Sequence, residues 1–293
     1  KNITQINIAK KRIREVKNNN NKIFFFKNLK FKKKKFDLAI LSTTSSKRLF
    51  FINKLIKYKI IKNLIIEKVA FQNKEDFYKA KKTWDKKKIN SVVKCPRRRH
   101  HIYRLINRKI NKNKKIILHV KGNQWNMASN LIHFLDLFLF LSNRKNNDFI
   151  YSKIKYKKIL NSKRNNFFEV KGRIELNNKL GDKIIFEDHN KNKKELVVKI
   201  INFKNEFIIN ETKLNAKIIN KHSKSKIINK LNFKIPLQGE LSSFYQKEIN
   251  SKKGLNIPSL TDSYCSHIIL FDIMKKQFNL YNVKRKKIFF PIS

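Results

Sequence analysis

The sequence predicts an α+β protein with a ferredoxin-like (split βαβ) core, a long basic β-hairpin and an irregular, strand-rich C-terminal extension. Three observations lead to this fold class. A strand-helix-strand order precedes a basic stretch at Pro96–Asn123, and a helix and a strand follow it. The stretch alternates apolar and basic residues on both sides of a polar tip, as the two strands of a hairpin do. Beyond residue 160, short alternating segments separated by turn residues predict further strands.

The predicted core elements are short and closely spaced. Helix starts are indicated by hydroxyl-bearing or amide residues that can cap them, followed by apolar residues at helical spacing. In chain order the predicted elements are strand Phe36–Leu41, helix Ser46–Tyr58, strand Leu64–Phe71, the helix-prone insertion Gln72–Ile89, the hairpin, helix Asn123–Leu141 and strand Phe149–Ile154.

We expect three regions along the chain. Residues 1–35 form a basic N-terminal arm, 36–158 the core with its insertion and hairpin, and 159–293 the C-terminal extension. Strands predicted in the extension are Phe167–Leu176, Lys183–Phe186, Leu196–Phe203 and Glu206–Ile209. After Lys213 the pattern becomes irregular and basic.

Charge dominates the composition. Lys and Arg number 71 against 20 Asp and Glu, which gives a formal net charge of +51. Self-repulsion at that charge favours a polyanionic partner, either nucleic acid or an anionic membrane. Because 41% of the residues are hydrophobic and 24 are Phe, the chain can still build a core. The bias towards Lys, Asn, Ile and Phe predicts an A/T-rich genome such as that of an organelle.

Signatures of catalysis are missing from the sequence. It contains no G-x-x-x-x-G-K-[ST], G-x-G-x-x-G, H-E-x-x-H or G-x-S-x-G motif, and only 5 Gly. Glu187, Asp188 and His189 are explained by a turn between strands, and Asp136 by a paired or partly exposed position. The longest apolar run, Leu131–Leu141, is well short of the about 18 to 20 residues that span a bilayer. We therefore expect no catalytic residue, no metal site, no cofactor and no membrane insertion.

The candidate functional residues are cations that can contact phosphates, since the Arg guanidinium suits two-point contact with an oxyanion. They lie in the predicted hairpin and in the N-terminal arm: Arg97, Arg98, Arg99, His100, Arg104, Arg108, Lys109, Lys112, Lys114, Lys115, Lys32, Lys33 and Lys34.

The hairpin stretch also resembles a known family. A proline is followed by a basic cluster, an aromatic residue, alternating aliphatic residues, an N-K-K loop end and a return strand: Pro96, Arg97–Arg99, Tyr103, Leu105, Asn113, Lys114, Lys115, Leu118, His119, Val120 and Lys121. Over roughly 36–158 the chain resembles a divergent organellar form of the small-subunit ribosomal protein S-ten family. The resemblance implies a small α/β sandwich whose extended arm lies in the head of the small subunit.

These observations together predict a structural constituent of the mitochondrial small ribosomal subunit in the matrix. Its expected partners are rRNA and neighbouring ribosomal proteins, with no small-molecule substrate and no enzymatic activity. Two alternatives stay open from the sequence. One is another organellar ribosomal protein of either subunit, and the other is a basic accessory subunit of a mitochondrial inner-membrane complex.

Overall fold

The computed structural model describes residues 2–15, 23–25, 36–57, 61–144, 149–162, 165–189, 193–220, 227–236, 240–241, 245, 257–279, 290 and 292. A short helix, α1 (Asn2–Arg14), lies in the region predicted as a basic arm. Two β-sheets and the helices packed against them make up most of the other described residues. Within the described residues, no helix has both the length and the hydropathy needed to cross a bilayer.

The first sheet is small and entirely parallel. Its strands are β1 (Phe36–Leu41), β2 (Ile61–Ile66) and β3 (Asn90–Val93), in the spatial order β1-β2-β3. Helix α2 (Arg48–Lys57) connects β1 to β2, and α3 (Lys74–Lys87) connects β2 to β3. The sheet is therefore one βαβαβ unit.

Helix α3 occupies the stretch predicted as an insertion. Asn73 caps it, because its side-chain oxygen accepts the backbone N–H of Asp76 at 2.7 Å. Phe77 and Trp84 are buried on its inner face, whereas Tyr78 is exposed. The segment is thus a crossover helix of the parallel sheet.

The stretch predicted as one arm of the hairpin is helical. Pro96–Arg99 form a 3-10 turn, and α4 follows at His101–Lys109. The buried residues Ile102, Tyr103 and Ile106 recur at helical spacing, which the alternation of basic and apolar residues had concealed.

The second sheet has eight strands in the order β11-β10-β9-β8-β4-β7-β6-β5. Only β4 and β7 pair in parallel, and the other neighbours are antiparallel. The strands are β4 (Ile116–Asn123), β5 (Phe149–Asn161), β6 (Phe168–Asn178), β7 (Lys183–His189), β8 (Glu195–Asn202), β9 (Asn205–Asn210), β10 (Asn215–Asn220) and β11 (Ile227–Asn232).

Helix α5 (Met127–Ser142) lies at the centre of the molecule. All of its residues except Asn130 and Phe140 are buried. It packs against β4, β6 and β7 on one side, and against the 3-10 turn and α6 (Leu260–Asn279) on the other. A helix that is apolar on nearly all sides must be enclosed in this way.

The predicted ferredoxin-like core with a basic hairpin is wrong. The molecule instead has a Rossmann-like parallel sheet and a large mixed sheet. Strand β4 was predicted correctly as a strand, but it pairs with β7 and β8 rather than with Ile102–Ile106. Segments assigned to an irregular extension therefore supply most of the central sheet.

Candidate active site

The candidate site begins in the loop that follows β2. Arg48, the first residue of α2, is buried and directs its guanidinium into this loop. Its Nη1 donates to the carbonyl oxygens of Glu67, at 2.6 Å, and of Val69, and its Nε donates to that of Thr43 at 2.9 Å. The Glu67 carboxylate pairs with Lys94 Nζ at 2.6 Å. These contacts fix the loop against the carboxyl ends of the strands.

Lys68 extends from that loop to the first turn of α5. Its Nζ donates to the carbonyl oxygen of Ser129 at 2.8 Å. The side chain borders a polar cavity of about 500 Å³. Most of the residues that line it carry amide, hydroxyl or charged side chains: Lys68, Gln124, Asn126, Ser129, Asn130, Asn161, Ser162, Glu169, Lys171 and Asp188.

Two carboxylates share the cavity with Lys68. Glu169, on β6, accepts the backbone N–H of Ser129 at 3.3 Å, and Asp188, on β7, accepts backbone N–H groups that include that of Gln124. Burial raises the pKa of both carboxyls, although these N–H groups oppose the shift. Perturbed carboxyls beside an amine in a concave polar cavity are typical of a functional site.

Successive side chains of a strand point to opposite faces of the sheet. Asp188 therefore lies in this cavity, whereas its neighbours Glu187 and His189 lie on the other face of β7. Glu187 pairs with Arg173 and lies 3.2 Å from Nε2 of His189. Glu187 therefore belongs to a charged network on the other face of β7. The three residues assigned to a turn between strands are part of β7 itself.

Helix α5 carries His133 and Asp136 on the face that also presents Ser129, since the residues are four and three positions apart. His133 is buried, and its Nδ1 has no hydrogen-bond partner among the described residues. Burial, with help from the charges of Arg97 and Lys68, lowers its pKa well below 6.5. His133 is therefore neutral near pH 7.

The turn after β3 is tied to buried carboxylates. Arg98 binds Asp136 through two N–H groups, with Nε 2.9 Å from Oδ2. Arg97 binds Glu211 in the same two-point way at 3.0 and 2.8 Å, and Tyr103 donates to Glu211 at 2.7 Å. Burial raises the pKa of Asp136 to about 6, although the Arg98 guanidinium acts in the opposite direction.

The structure separates the predicted phosphate contacts into groups. Arg97, Arg98 and Arg99 are half-buried and His100 is buried, whereas Lys112 donates to the carbonyl of Leu141. The exposed members of the set are Arg104, Arg108, Lys109, Lys114 and Lys115. Lys32, Lys33 and Lys34 lie outside the described residues. The role of these side chains as phosphate contacts stays a prediction, as does the division of the chain at residues 35 and 158.

A second, smaller cavity of about 330 Å³ lies on the face of the large sheet. His119, Lys121, His189 and Lys199 are among the residues that line it. Among the described residues, no three His, Cys, Asp or Glu side chains come together to hold a metal ion.

A dinucleotide does not fit the turn between β1 and α2. In a Rossmann unit this turn is glycine-rich, so that the backbone can approach the pyrophosphate closely. Here Ser42–Ser46 contains no glycine, and Ser45 Oγ donates to the carbonyl oxygen of Ile292 at 3.1 Å. The buried Arg48 guanidinium fills the space at the carboxyl ends of β1 and β2.

The small parallel sheet and the large mixed sheet define the class as a Rossmann-like fold with a large mixed sheet added to it. Solved structures of this fold confirm it. A super-repressor mutant of Gal80p from Saccharomyces cerevisiae matches with a TM-score of 0.64 at 11% identity, covering 83% of this chain and 79% of that one. The dehydrogenase MviM from Clostridium difficile matches with a TM-score of 0.59 at 15% identity, over 82% and 79%.

A third similar structure is the UDP-N-acetylglucosamine 3-dehydrogenase GnnA from Acidithiobacillus ferrooxidans. Its TM-score is 0.62 at 9% identity, and the match covers 80% of this chain and 76% of that one. No protein-family model and no curated protein sequence matches the chain. At these identities the likeness establishes the fold.

The comparisons overturn the ribosomal interpretation. The resemblance to the S-ten family is wrong, because it depended on a hairpin where the chain forms a turn and α4. A structural role in the mitochondrial small ribosomal subunit is contradicted as well. The similar structures include named dehydrogenases, which contradicts the expectation of a non-enzyme. The same similarity contradicts the expectation that the partners are rRNA and ribosomal proteins. It also contradicts the expectation that there is no small-molecule substrate.

Sequence reasoning missed Lys68, Glu169, Asp188 and His133. One signal was present for the first of them, because Lys68 follows Glu67 inside an otherwise apolar run, LIIEKVAF. Such a charged pair directly after a buried strand marks the carboxyl edge of a parallel sheet, where ligands bind in this class of fold. The others come together only through the pairing of the large sheet.

Proposed function

We propose that the chain binds a polyhydroxylated small molecule in the cavity at Lys68 and serves as the substrate-binding part of an oxidoreductase. The observation that carries the proposal is that Lys68, bound to the Ser129 carbonyl oxygen, lines the same cavity as two carboxyls of raised pKa. Amide and carboxylate groups suit such a ligand, because each hydroxyl both donates and accepts. Dehydrogenases among the similar structures support the same class of activity.

In this proposal Lys68 moves the proton of a substrate hydroxyl. Oxidation of a secondary alcohol to a ketone removes that proton and a hydride, and reduction returns both. Once deprotonated, the Lys68 amine beside the Ser129 carbonyl oxygen can accept the proton, and the Glu169 carboxylate on β6, which accepts the Ser129 N–H, can pass it towards solvent. The hydride acceptor does not fit the turn after β1, so the residues described here account for binding and proton transfer.

The experiment is a ligand-observed NMR screen of the full chain against hexoses, polyols and sugar acids. We expect at least one compound to bind, and Lys68→Met to weaken it at least ten-fold. Lys121→Met is the matched control, since Lys121 lines the second cavity and its loss leaves this binding unchanged. Absence of any binding, or an equal loss of affinity in Lys68→Met and Lys121→Met, would contradict the proposal.

A second candidate is a ligand-binding regulator without catalysis, in line with the similarity to Gal80p, whose solved mutant is named a super-repressor. The glycine-free turn between β1 and α2 favours it, because that turn cannot take a dinucleotide in the usual way. Turnover separates the two candidates. A bound polyol that is oxidised, with Lys68→Met abolishing the oxidation, supports the enzyme, and binding without oxidation under all conditions supports the regulator.

Localisation in the mitochondrion remains a proposal that rests on the A/T-biased composition alone. Fluorescence imaging of the tagged full chain tests it. Signal outside the mitochondria would contradict it.

A further inference from the structure

Two hairpin turns of the large sheet each expose a large apolar side chain. Asn202 pairs with Asn205, which makes Phe203 and Lys204 the central residues of the turn between β8 and β9. Phe203 is 54% exposed, and Leu180, in the turn between β6 and β7, is 61% exposed. Single exposed apolar residues are common on proteins, whereas apolar groups that share one end of a sheet can form a contact surface.

Both turns lie at the same end of the sheet, beside the start of β4. Ile116 of β4 pairs with Asn202, and Ile117 pairs with Lys183, which directly follows the second turn. In the spatial order β9-β8-β4-β7-β6, β4 alone separates the two hairpins. The midpoints of the hairpins are therefore three strand spacings apart, or about 14 Å. Side chains at this separation can contact one surface together.

The loop that precedes β4 places lysines beside both turns. Nζ of Lys114 lies 5.3 Å from the centroid of the Phe203 ring, and Nζ of Lys204 lies 5.2 Å from it. Lys115 borders the other turn, because a β-carbon built at Gly181 would lie 4.0 Å from its Cδ. Exposed cations at this end, which includes the last turn of α4, are Arg108, Lys109, Lys114, Lys115 and Lys179.

We call residues 110–115, 178–182 and 202–205 the basic end of the large sheet. Asp182 is the one acidic residue of these segments, and it is buried. Its carboxylate accepts the backbone N–H of Ile116 at 2.8 Å and pairs with Nε of Arg144 at 3.2 Å. The surface of the basic end is therefore apolar and cationic.

The backbone of Phe203 is strained. Its φ is +50°, which places a bulky residue in the left-handed region. Two-residue hairpin turns favour Gly or Asn at a central position with positive φ, so exposure and conformation both make Phe unfavourable for stability. Strained positions of this kind concentrate at functional sites, which points to a use of the ring in binding.

We propose that the basic end adsorbs to the surface of an anionic phospholipid bilayer. The ammonium groups bind the anionic headgroups, and Phe203 and Leu180 enter the boundary between the headgroups and the acyl chains. Single-stranded nucleic acid would also attract the lysines, but its bases stack on aromatic rings and gain nothing comparable from Leu180. An aromatic and an aliphatic side chain on separate turns suit lipid better.

The bilayer contact does not involve the proposed polyol cavity, which lies at the other end of α5. Ser129 borders that cavity in the first turn of the helix, whereas Arg144, which binds Asp182, follows its last turn. The helix has 16 residues and is about 24 Å long. Adsorption is therefore independent of the proposed function, and Lys68→Met should leave it unchanged.

Vesicle flotation of the full chain measures the contact. The vesicles hold phosphatidylcholine with about 30% phosphatidylserine, and vesicles of phosphatidylcholine alone are the neutral reference. We expect wild type to bind the anionic vesicles, and Lys114→Gln combined with Lys115→Gln to weaken binding at least ten-fold. The same changes at Lys193 and Lys194, an exposed pair at the opposite end of β8, are the matched control for the net charge of +51 and should weaken binding at most two-fold.

Phe203→Asn tests the apolar contact, because Asn tolerates a positive φ and the turn stays folded. It should weaken vesicle binding at least ten-fold, while the urea midpoint equals or exceeds that of wild type. Leu214→Asn is the matched control. Leu214 has a φ of +56° and is 38% exposed in the turn at the opposite end of β9, so this variant should bind like wild type.

Fluorescence locates the ring in the bilayer. Lipids with brominated acyl chains should quench the emission of Phe203→Trp and leave that of Leu214→Trp unchanged. The native Trp84 and Trp125 are buried and give a constant background.

Any of three results would overturn the proposal. One is equal weakening by the lysine pairs at the two ends, which would mean general attraction by net charge. Another is an absence of quenching in Phe203→Trp. The third is unchanged vesicle binding by Phe203→Asn together with at least ten-fold weaker binding of a single-stranded oligouridine probe, which would assign the basic end to nucleic acid.

Discussion

Arg98 and Asp136 form a two-point ion pair that joins the turn after β3 to the middle of α5, the central helix. Asp136 is fully buried. The adjacent Arg97 binds Glu211 in the same way, at the end of β9. The arginine cluster at the start of the basic stretch thus fastens two parts of the large-sheet region to the small sheet.

Removing one partner of such a pair leaves a buried charge uncompensated. We expect Arg97→Ala to lower the free energy of unfolding by about 3 to 5 kcal/mol, because Glu211 then lacks its guanidinium. Urea denaturation measures the change without adding salt. Arg104→Ala, at an exposed position two turns away, should stay within about 0.5 kcal/mol of wild type. A similar loss in both variants would show that Arg97 contributes no more than surface charge.

Substitution of Arg48 should also lower the free energy of unfolding, for a different reason. Its guanidinium satisfies the carbonyl oxygens of Thr43, Glu67 and Val69, which Met cannot do. Arg48→Met should therefore cost about 3 kcal/mol, the range for hydrogen bonds to a charged group. The adjacent exposed Lys47→Met serves as the control in the same urea titration. Full stability of Arg48→Met would mean that the loop holds without these bonds.

Gly122 marks a close approach between β4 and β8. A β-carbon there would lie 2.4 Å from the carbonyl oxygen of Glu195 and 2.8 Å from Cδ1 of Trp125. Because backbone must move to relieve this contact, Gly122→Ala should lower the thermal midpoint more than Gly181→Ala does. Gly181→Ala meets no close atom and has only its positive φ of 78° to accommodate, at about 1 to 2 kcal/mol. Equal midpoints for the two variants would contradict the close approach.

His267 should make stability depend on pH. Its Nδ1–H donates to the Ser263 carbonyl oxygen at 2.7 Å and its Nε2 accepts the Ala70 N–H at 3.0 Å, so only the neutral ring fits. Burial lowers its pKa to about 3, against about 6.5 in the unfolded chain. As the pH falls below about 6.5, the unfolded state binds a proton that the folded state does not, and stability is lost.

The loss attributable to His267 is about 1.4 kcal/mol per pH unit between pH 6 and 4. His267→Gln removes this contribution, while every other group titrates in both proteins. The difference in unfolding free energy between wild type and His267→Gln should therefore shrink at that rate as the pH falls. Parallel stability curves would show that His267 is charged or exposed in the folded chain.

Local elements were predictable from the sequence where one period was unambiguous. The strand Phe36–Leu41 and the helix containing Leu131 and Phe138 were found, because their apolar residues follow a strict pattern. The helix at Ile102–Ile106 was not found, because its adjacent apolar residues fit the strand period of two as well as the helical period of 3.6 residues. Packing of this segment against α5 and the hydrogen bond from Tyr103 to Glu211 stabilise the helical conformation.

The candidate site was beyond local patterns. Lys68, Ser129 and Glu169 lie on a loop, a helix and a strand that are far apart in the sequence. They meet because the first turn of α5 contacts both, as Ser129 accepts from the Lys68 amine and donates its N–H to Glu169. The net charge pointed to a polyanion, yet charge informs about solubility and association and does not specify a fold.

Site-resolved acetylation of lysines, followed by mass spectrometry, tests the small-molecule site most directly. A polyol that binds the chain should slow acetylation of Lys68 at least ten-fold and leave the exposed Lys62 unaffected. An unchanged rate at Lys68 with saturating ligand would contradict the account, because the bound molecule would then lie elsewhere on the protein.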